Sequence, residues 1–147
     1  MMCESSMKRA FFPILALALL GGCGQPEPDK QMTEETVTPA SQVEQRALER
    51  WQALINGDTE QAYKYLSPGA RSLMPLQVYQ NLISGKAISW TGVDVDTVEC
   101  ESDVCNVKLT LNYKYTGAME AMQGQESSSI LTENWVLSGG KWWFVPK

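Results

Sequence analysis

The sequence predicts an α+β fold, with helices laid against a curved antiparallel sheet. Apolar residues recur at helical spacing from Val43 to Ile83, and alternation takes over near Ile88. Glycine-rich turns then separate the later apolar runs. Helices first and a strand meander after them is an order that packs as α+β.

Each element has its own signal. Ser41 followed by Glu44 gives a capping-box pattern, after which Val43, Ala47, Trp51, Leu54 and Ile55 share one helix face. Gly57 suits the left-handed residue past that helix. Asp58 can cap a second helix carrying Ala62, Tyr63, Tyr65 and Leu66, stopped by Ser67-Pro68-Gly69. A third, short helix follows Pro75, with Leu76, Tyr79, Leu82 and Ile83 inward and Gly85 closing it. Ile88 to Cys100 alternates imperfectly, with Gly92 as the expected bulge. From Cys105 to Tyr115 the odd positions are Cys, Val, Leu, Leu, Tyr and Tyr, while Asn, Lys and Thr fill the even ones. That is a strand with one buried face. Ser128 to Leu137 and Trp142 to Val145 complete the sheet, joined by a tight Ser138-Gly139-Gly140-Lys141 turn.

Upstream the chain changes character. Lys8-Arg9 precede Phe11 to Leu20, a run that is apolar apart from Pro13. As a helix it rises about 15 Å, half of a ~30 Å hydrocarbon core, and is too short to span. A basic start, a short apolar run and small residues before a cut describe a secretory signal over 1–22, with Met7 as an alternative start. Leu20-Gly21-Gly22-Cys23 closely resembles the bacterial lipoprotein box. The resemblance implies a diacylglyceryl group on Cys23, cleavage before it, and acylation of the new amino terminus, with palmitate as the expected fatty acid. Gly24 in place of Asp after Cys23 implies sorting to the outer membrane, facing the periplasm. An ordinary secretory signal and an uncleaved anchor are the alternatives. Two or three acyl chains hold a protein stably where one is marginal.

Residues 23–40 then read as a tether, because three prolines and a run of charges leave little apolar surface to bury. Such a segment wanders about 23 Å root-mean-square. Residues 41–147 form the single domain.

Composition narrows the function. The net charge is −5, and loss of residues 1–22 makes it about −6. An acidic chain without a basic stripe argues against nucleic acid and against electrostatic adhesion to anionic lipid. There is no histidine, so histidine-based triads and histidine–zinc sites are excluded. No cofactor and no metal is expected.

Two stretches carry a family resemblance. "ALERWQALINGDTEQAYKYLSP" is a helix turning at Gly57-Asp58 into a Tyr-rich second helix, and "ENWVLSGGKWWFVPK" is a strand, a Gly turn and a Trp-bearing last strand. Over 41–147 this resembles the cone-shaped superfamily of nuclear transport factor 2, ketosteroid isomerase and the SnoaL-like proteins. The nearest likeness is to small bacterial lipoproteins of that group. A cystatin-like sheet with one dominant helix is the second fold. The cone implies a pocket between helices and concave sheet.

Cys100 and Cys105 flank Glu-Ser-Asp-Val between two strand-like runs, within reach of a disulfide across a four-residue hairpin loop. An oxidising envelope compartment favours the bond. Redox chemistry, zinc and free thiols are the alternatives. Asp94, Asp96, Glu99, Glu101 and Asp103 lack the spacing of a calcium loop and read as a solvated strand face. Met119 and Met122 have a spacing that suits copper(I), but with no further soft ligand nearby they read as a loop with sticky side chains, one that could equally touch a partner or the bilayer. Tyr63, Tyr79, Trp90, Tyr113 and Trp135 either pack a bulky core or line a pocket for a small apolar ligand. Glu133 stands between Leu131 and Trp135 on an apolar strand and is placed inward, with a raised pKa.

The function these features support is a membrane-anchored, non-catalytic binding or interaction module. Its partners would be the bilayer, through acylated Cys23, and a small apolar ligand or an envelope protein. A structural part of an envelope assembly is the alternative. An isomerase- or dehydratase-like enzyme, with a carboxylate base, is the remaining one.

Overall fold

The computed structural model describes residues 37–147. The expected signal segment, Cys23 and the expected tether as far as residue 36 lie outside the described residues, while Pro39 and Ala40, expected at the tether's end, open the first helix instead.

The first helix, α1, spans Pro39–Ile55. Its start corrects the expected cap. Thr38, not Ser41, is the N-cap, and Ser41 is the third helical residue that answers it. Pro39 explains the shift, since its fixed φ and missing N–H suit the first helical position. Val43, Ala47, Arg50, Trp51 and Leu54 form the buried stripe. Gly57 follows at φ +78°, and Asp58 caps α2 (Thr59–Tyr63) by accepting from the Gln61 N–H.

That second helix is shorter than its pattern suggested. The chain leaves it so that Tyr65 O can accept from Phe144 N–H and Ser67 N–H can donate to Phe144 O, each at 2.8 Å. Ser67-Pro68 does not end a helix; it starts α3 (Pro68–Leu73), with Ser67 as cap and Pro68 in the first turn. α4 spans Leu76–Ser84 and closes at Gly85. Tyr79 is its buried residue, whereas Leu82, expected inward, is 55% exposed. Leu82 lies about 300° beyond Tyr79 around a helix with 3.6 residues per turn, and the shallow packing of this short helix buries only the Tyr79 side.

Four antiparallel strands follow in chain order: β1 (Ile88–Glu101), β2 (Val104–Tyr115), β3 (Glu126–Ser138) and β4 (Lys141–Val145). The fold is α+β, as expected. β1 slips register twice, between Trp90 and Gly92 and between Val95 and Thr97, so its bulges leave Thr91 and Asp96 unpaired. The irregularity expected at Gly92 is therefore the first of two. Each bulge adds local bend and twist. The β1–β2 connection is a two-residue turn, Ser102-Asp103, rather than a four-residue loop. Cys100 and Cys105 are paired partners next to it, bridged by a disulfide with α-carbons 4.0 Å apart. That is closer than the 4.4–6.8 Å expected. β3 and β4 turn through Gly139 and Gly140, both at positive φ.

α1 packs on the sheet face that carries Cys105, Val107, Leu109, Leu111, Trp135 and Trp142, and these residues with the α1 stripe make the core.

Candidate functional site

The centre of the domain holds a charged pair. Among the described residues Arg50 and Glu133 are the two charged residues in the core, 4% and 2% exposed. α1 delivers Arg50 because it sits on the apolar stripe, seven residues after Val43. β3 delivers Glu133 because it shares the inward phase of Trp135.

The carboxylate accepts three hydrogen bonds. Glu133 Oε1 accepts from Arg50 Nη1 at 2.6 Å and from Trp51 Nε1 at 2.8 Å, and Oε2 accepts from Trp135 Nε1 at 3.1 Å. Arg50 also donates to the Tyr79 hydroxyl at 3.4 Å and stacks 3.9 Å above the Phe144 ring. Burial pushes the Glu133 carboxyl above its usual range, while Arg50 and the indoles of Trp135 and Trp51 pull it down. We read the short ion pair as holding a carboxylate there, since three N–H donors converge on its oxygens. Burial likewise raises the Tyr79 phenol, with Arg50 opposing.

The structure sorts the residues singled out from sequence. Tyr79 and Glu133 meet at Arg50, and Trp135 joins them through Glu133. Trp90 reaches this cluster through Trp51, edge-on at 5.5 Å. Tyr63 touches the Tyr79 ring at 5.5 Å and donates to the carbonyl of Met74 at 2.9 Å. Tyr113 stands apart, edge-on to Tyr115 at 5.6 Å. These contacts make an interlocked aromatic interior around a salt bridge. A groove of about 90 Å³ runs along the middle of β3 and the end of β4 with Glu133 in its lining, yet the Glu133 side chain is 1% exposed.

A different recess is apolar and open. It holds about 240 Å³ and is lined by Ala87, Tyr115, Gly117, Ala118, Met119 and Met122. Thr116 N–H donates to Ala87 O at 3.0 Å, which ties the loop after β2 to the start of β1. A single 3₁₀ turn, Glu120–Met122, then projects both methionines, and Met119 is 66% exposed. Sequence reasoning marked the methionine pair but missed Ala87 and Gly117. It also missed Arg50, although a cation on an apolar helix stripe and an anion on an apolar strand are a readable signal.

No protein-family model matches this chain, and no curated protein sequence matches it. Solved structures do. A SEC-C motif containing protein from Psychrobacter arcticus superimposes with TM-score 0.55 at 14% identity, over 76% of this chain and 63% of that one. The chain thus spans less than two thirds of that protein. A SEC-C motif containing protein from Rhodopseudomonas palustris gives 0.53 at 16% identity, over 66% and 70% of the two chains. TsrD from Streptomyces laurentii gives 0.52 at 17% identity, over 74% and 86%. At these identities the likeness is one of fold.

Proposed function

We propose that this chain is a bacterial envelope lipoprotein whose domain is a non-catalytic binding module for a small apolar ligand. The observation that carries the non-catalytic reading is the state of Glu133. A general base must come within hydrogen-bond reach of its substrate. Here the Glu133 carboxylate accepts three N–H donors from the protein and its side chain is only 1% exposed, so a substrate has no open approach to it. Isomerase- or dehydratase-like chemistry would need that interior opened.

The binding reading draws on the recess of Ala87, Tyr115 and the Met119–Met122 turn, which offers polarizable walls at an exposed end of the sheet. Thioether side chains adapt to irregular apolar shapes. Anchoring draws on Leu20-Gly21-Gly22-Cys23, and acyl chains on Cys23 would hold the domain on the periplasmic side of the outer membrane.

The test has two arms. Protein made in a bacterial envelope should carry a diacylglyceryl group on Cys23 as its amino-terminal residue, read by mass spectrometry. A free Cys23 thiol or another amino terminus overturns the anchor. The uncharged dye Nile red should bind saturably and lose affinity in Met119→Glu. Undiminished binding in that variant, or a turnover abolished by Glu133→Gln, overturns the module.

A further inference from the structure

Trp143 sits at the centre of an unbalanced patch of positive charge. Lys141 Nζ lies 4.9 Å from its ring centroid, the Arg71 guanidinium 5.4 Å and the Arg46 guanidinium 5.8 Å. The three cations come from β4, α3 and α1, so the fold and not local sequence assembles them. The frame is fixed. Trp143 Nε1 donates to Ser138 O at 3.0 Å, and Arg46 Nε donates to Trp142 O at 2.7 Å while the guanidinium lies 4.8 Å over Tyr65.

None of the three cations is held in an ion pair among the described residues. Among the described residues the ion pairs are Arg50–Glu133 and Lys114–Glu126, so none of these three cations has a carboxylate within 4.0 Å. Glu49, whose field reaches Arg46, is occupied by hydrogen bonds from Tyr65 and Gln45. Arg71 Nε is shielded from solvent and has no hydrogen-bond partner among the described residues. This gathering of bases occurs in a chain whose net charge is −5.

We propose that Arg46, Arg71 and Lys141, framed on Trp143, bind the phosphate group of an anionic ligand. Two planar guanidinium forks match tetrahedral oxyanions, and the lysine adds a point charge. The indole wall keeps the cations in place and lowers the local polarity in which they act. The site shares no residue with the apolar recess and stands or falls separately.

The experiment uses the full chain carrying Cys23→Ser, isotope-labelled so that its five tryptophan indoles are resolved by NMR. Sodium phosphate is titrated at constant ionic strength held with chloride. In parallel, the protein is sedimented with mixed phosphatidylglycerol–phosphatidylcholine vesicles and with phosphatidylcholine vesicles alone. The Trp143 indole should shift saturably with phosphate, or the protein should sediment with the phosphatidylglycerol vesicles. The first result assigns free phosphate esters as ligand, and the second assigns a lipid headgroup. Arg71→Gln and Lys141→Gln should each weaken the response about tenfold, the scale of one lost charge-assisted hydrogen bond. The Trp51, Trp90, Trp135 and Trp142 indoles should stay in place, showing that each variant is folded. No response in either arm, or a response that survives both substitutions, overturns the site.

Discussion

The guanidinium of Arg50 lies 2.6 Å from the carboxylate of Glu133, 83 residues away in sequence, with both side chains 5% exposed or less. This pair joins α1 to the middle of the sheet. Its cost is high, because each ion loses its water, and its geometry offsets that cost through the added donors of Trp51 and Trp135.

Breaking one half should therefore hurt more than removing both. Glu133→Leu strands the buried Arg50 and should lower unfolding free energy by about 3–5 kcal/mol in urea titration. Adding Arg50→Met should recover part of this loss. Recovery stays incomplete because the Trp51 and Trp135 N–H groups still lack an acceptor, at about 1–3 kcal/mol each. A double variant as stable as the parent would show that the indole bonds to Glu133 contribute nothing.

Alkaline pH should unfold the domain through its buried phenols. Burial raises the Tyr79 pKa above 10.0, with Arg50 pulling it back and Glu133 adding to it. Tyr65 is raised too, by burial first and then by its hydrogen bond to Glu49. In each case the folded protein holds the proton to higher pH than the unfolded chain does. Stability is thus complete below pH 10.0 and falls as pH rises through the folded values. Urea titrations above pH 10 should show a shallower decline in Tyr79→Phe than in the parent. An unchanged slope would mean that Tyr79 ionises as freely folded as unfolded.

Much of this architecture was legible in the sequence because burial imposes period. The β2 alternation from Cys105 to Tyr115 follows from one face meeting α1, and the Asp58 cap follows from helix ends needing acceptors. The inward Glu133 was legible as a charge among apolar neighbours. What sequence did not disclose depends on partners far along the chain. α2 ends early because Tyr65 and Ser67 bond to Phe144, and no local signal carries that strand's position. Glu133 was readable as inward but not as neutralised, since its partner Arg50 was not recognised on the α1 stripe. The recess needs Ala87 beside Gly117, thirty residues apart, and the patch around Trp143 needs three separate elements.

The disulfide should be worth little for its position. It links Cys100 and Cys105, sequence separation five, across a turn whose strands already pair. The chain-entropy estimate for so short a loop is about 2 kcal/mol. Replacing both cysteines with Ala should lower the unfolding free energy from urea titration by that amount and leave the far-ultraviolet spectrum intact. A collapse of the β1–β2 hairpin would mean that the bond, rather than the ladder, holds it.

The apolar recess depends on a close approach that only glycine allows. A Cβ built on Gly117 would meet the Ala87 Cβ at 2.9 Å, inside the distance such atoms tolerate. Ala87 has no flexible end to move aside, and its carbonyl is held by the Thr116 N–H. Gly117→Ala should push the loop away from β1, cost about 1–3 kcal/mol as an overpacked contact, and weaken Nile red binding. Ala87→Gly in the same chain removes the clash and should restore both stability and binding. If the double variant binds no better than Gly117→Ala alone, the Ala87–Gly117 contact does not shape the recess.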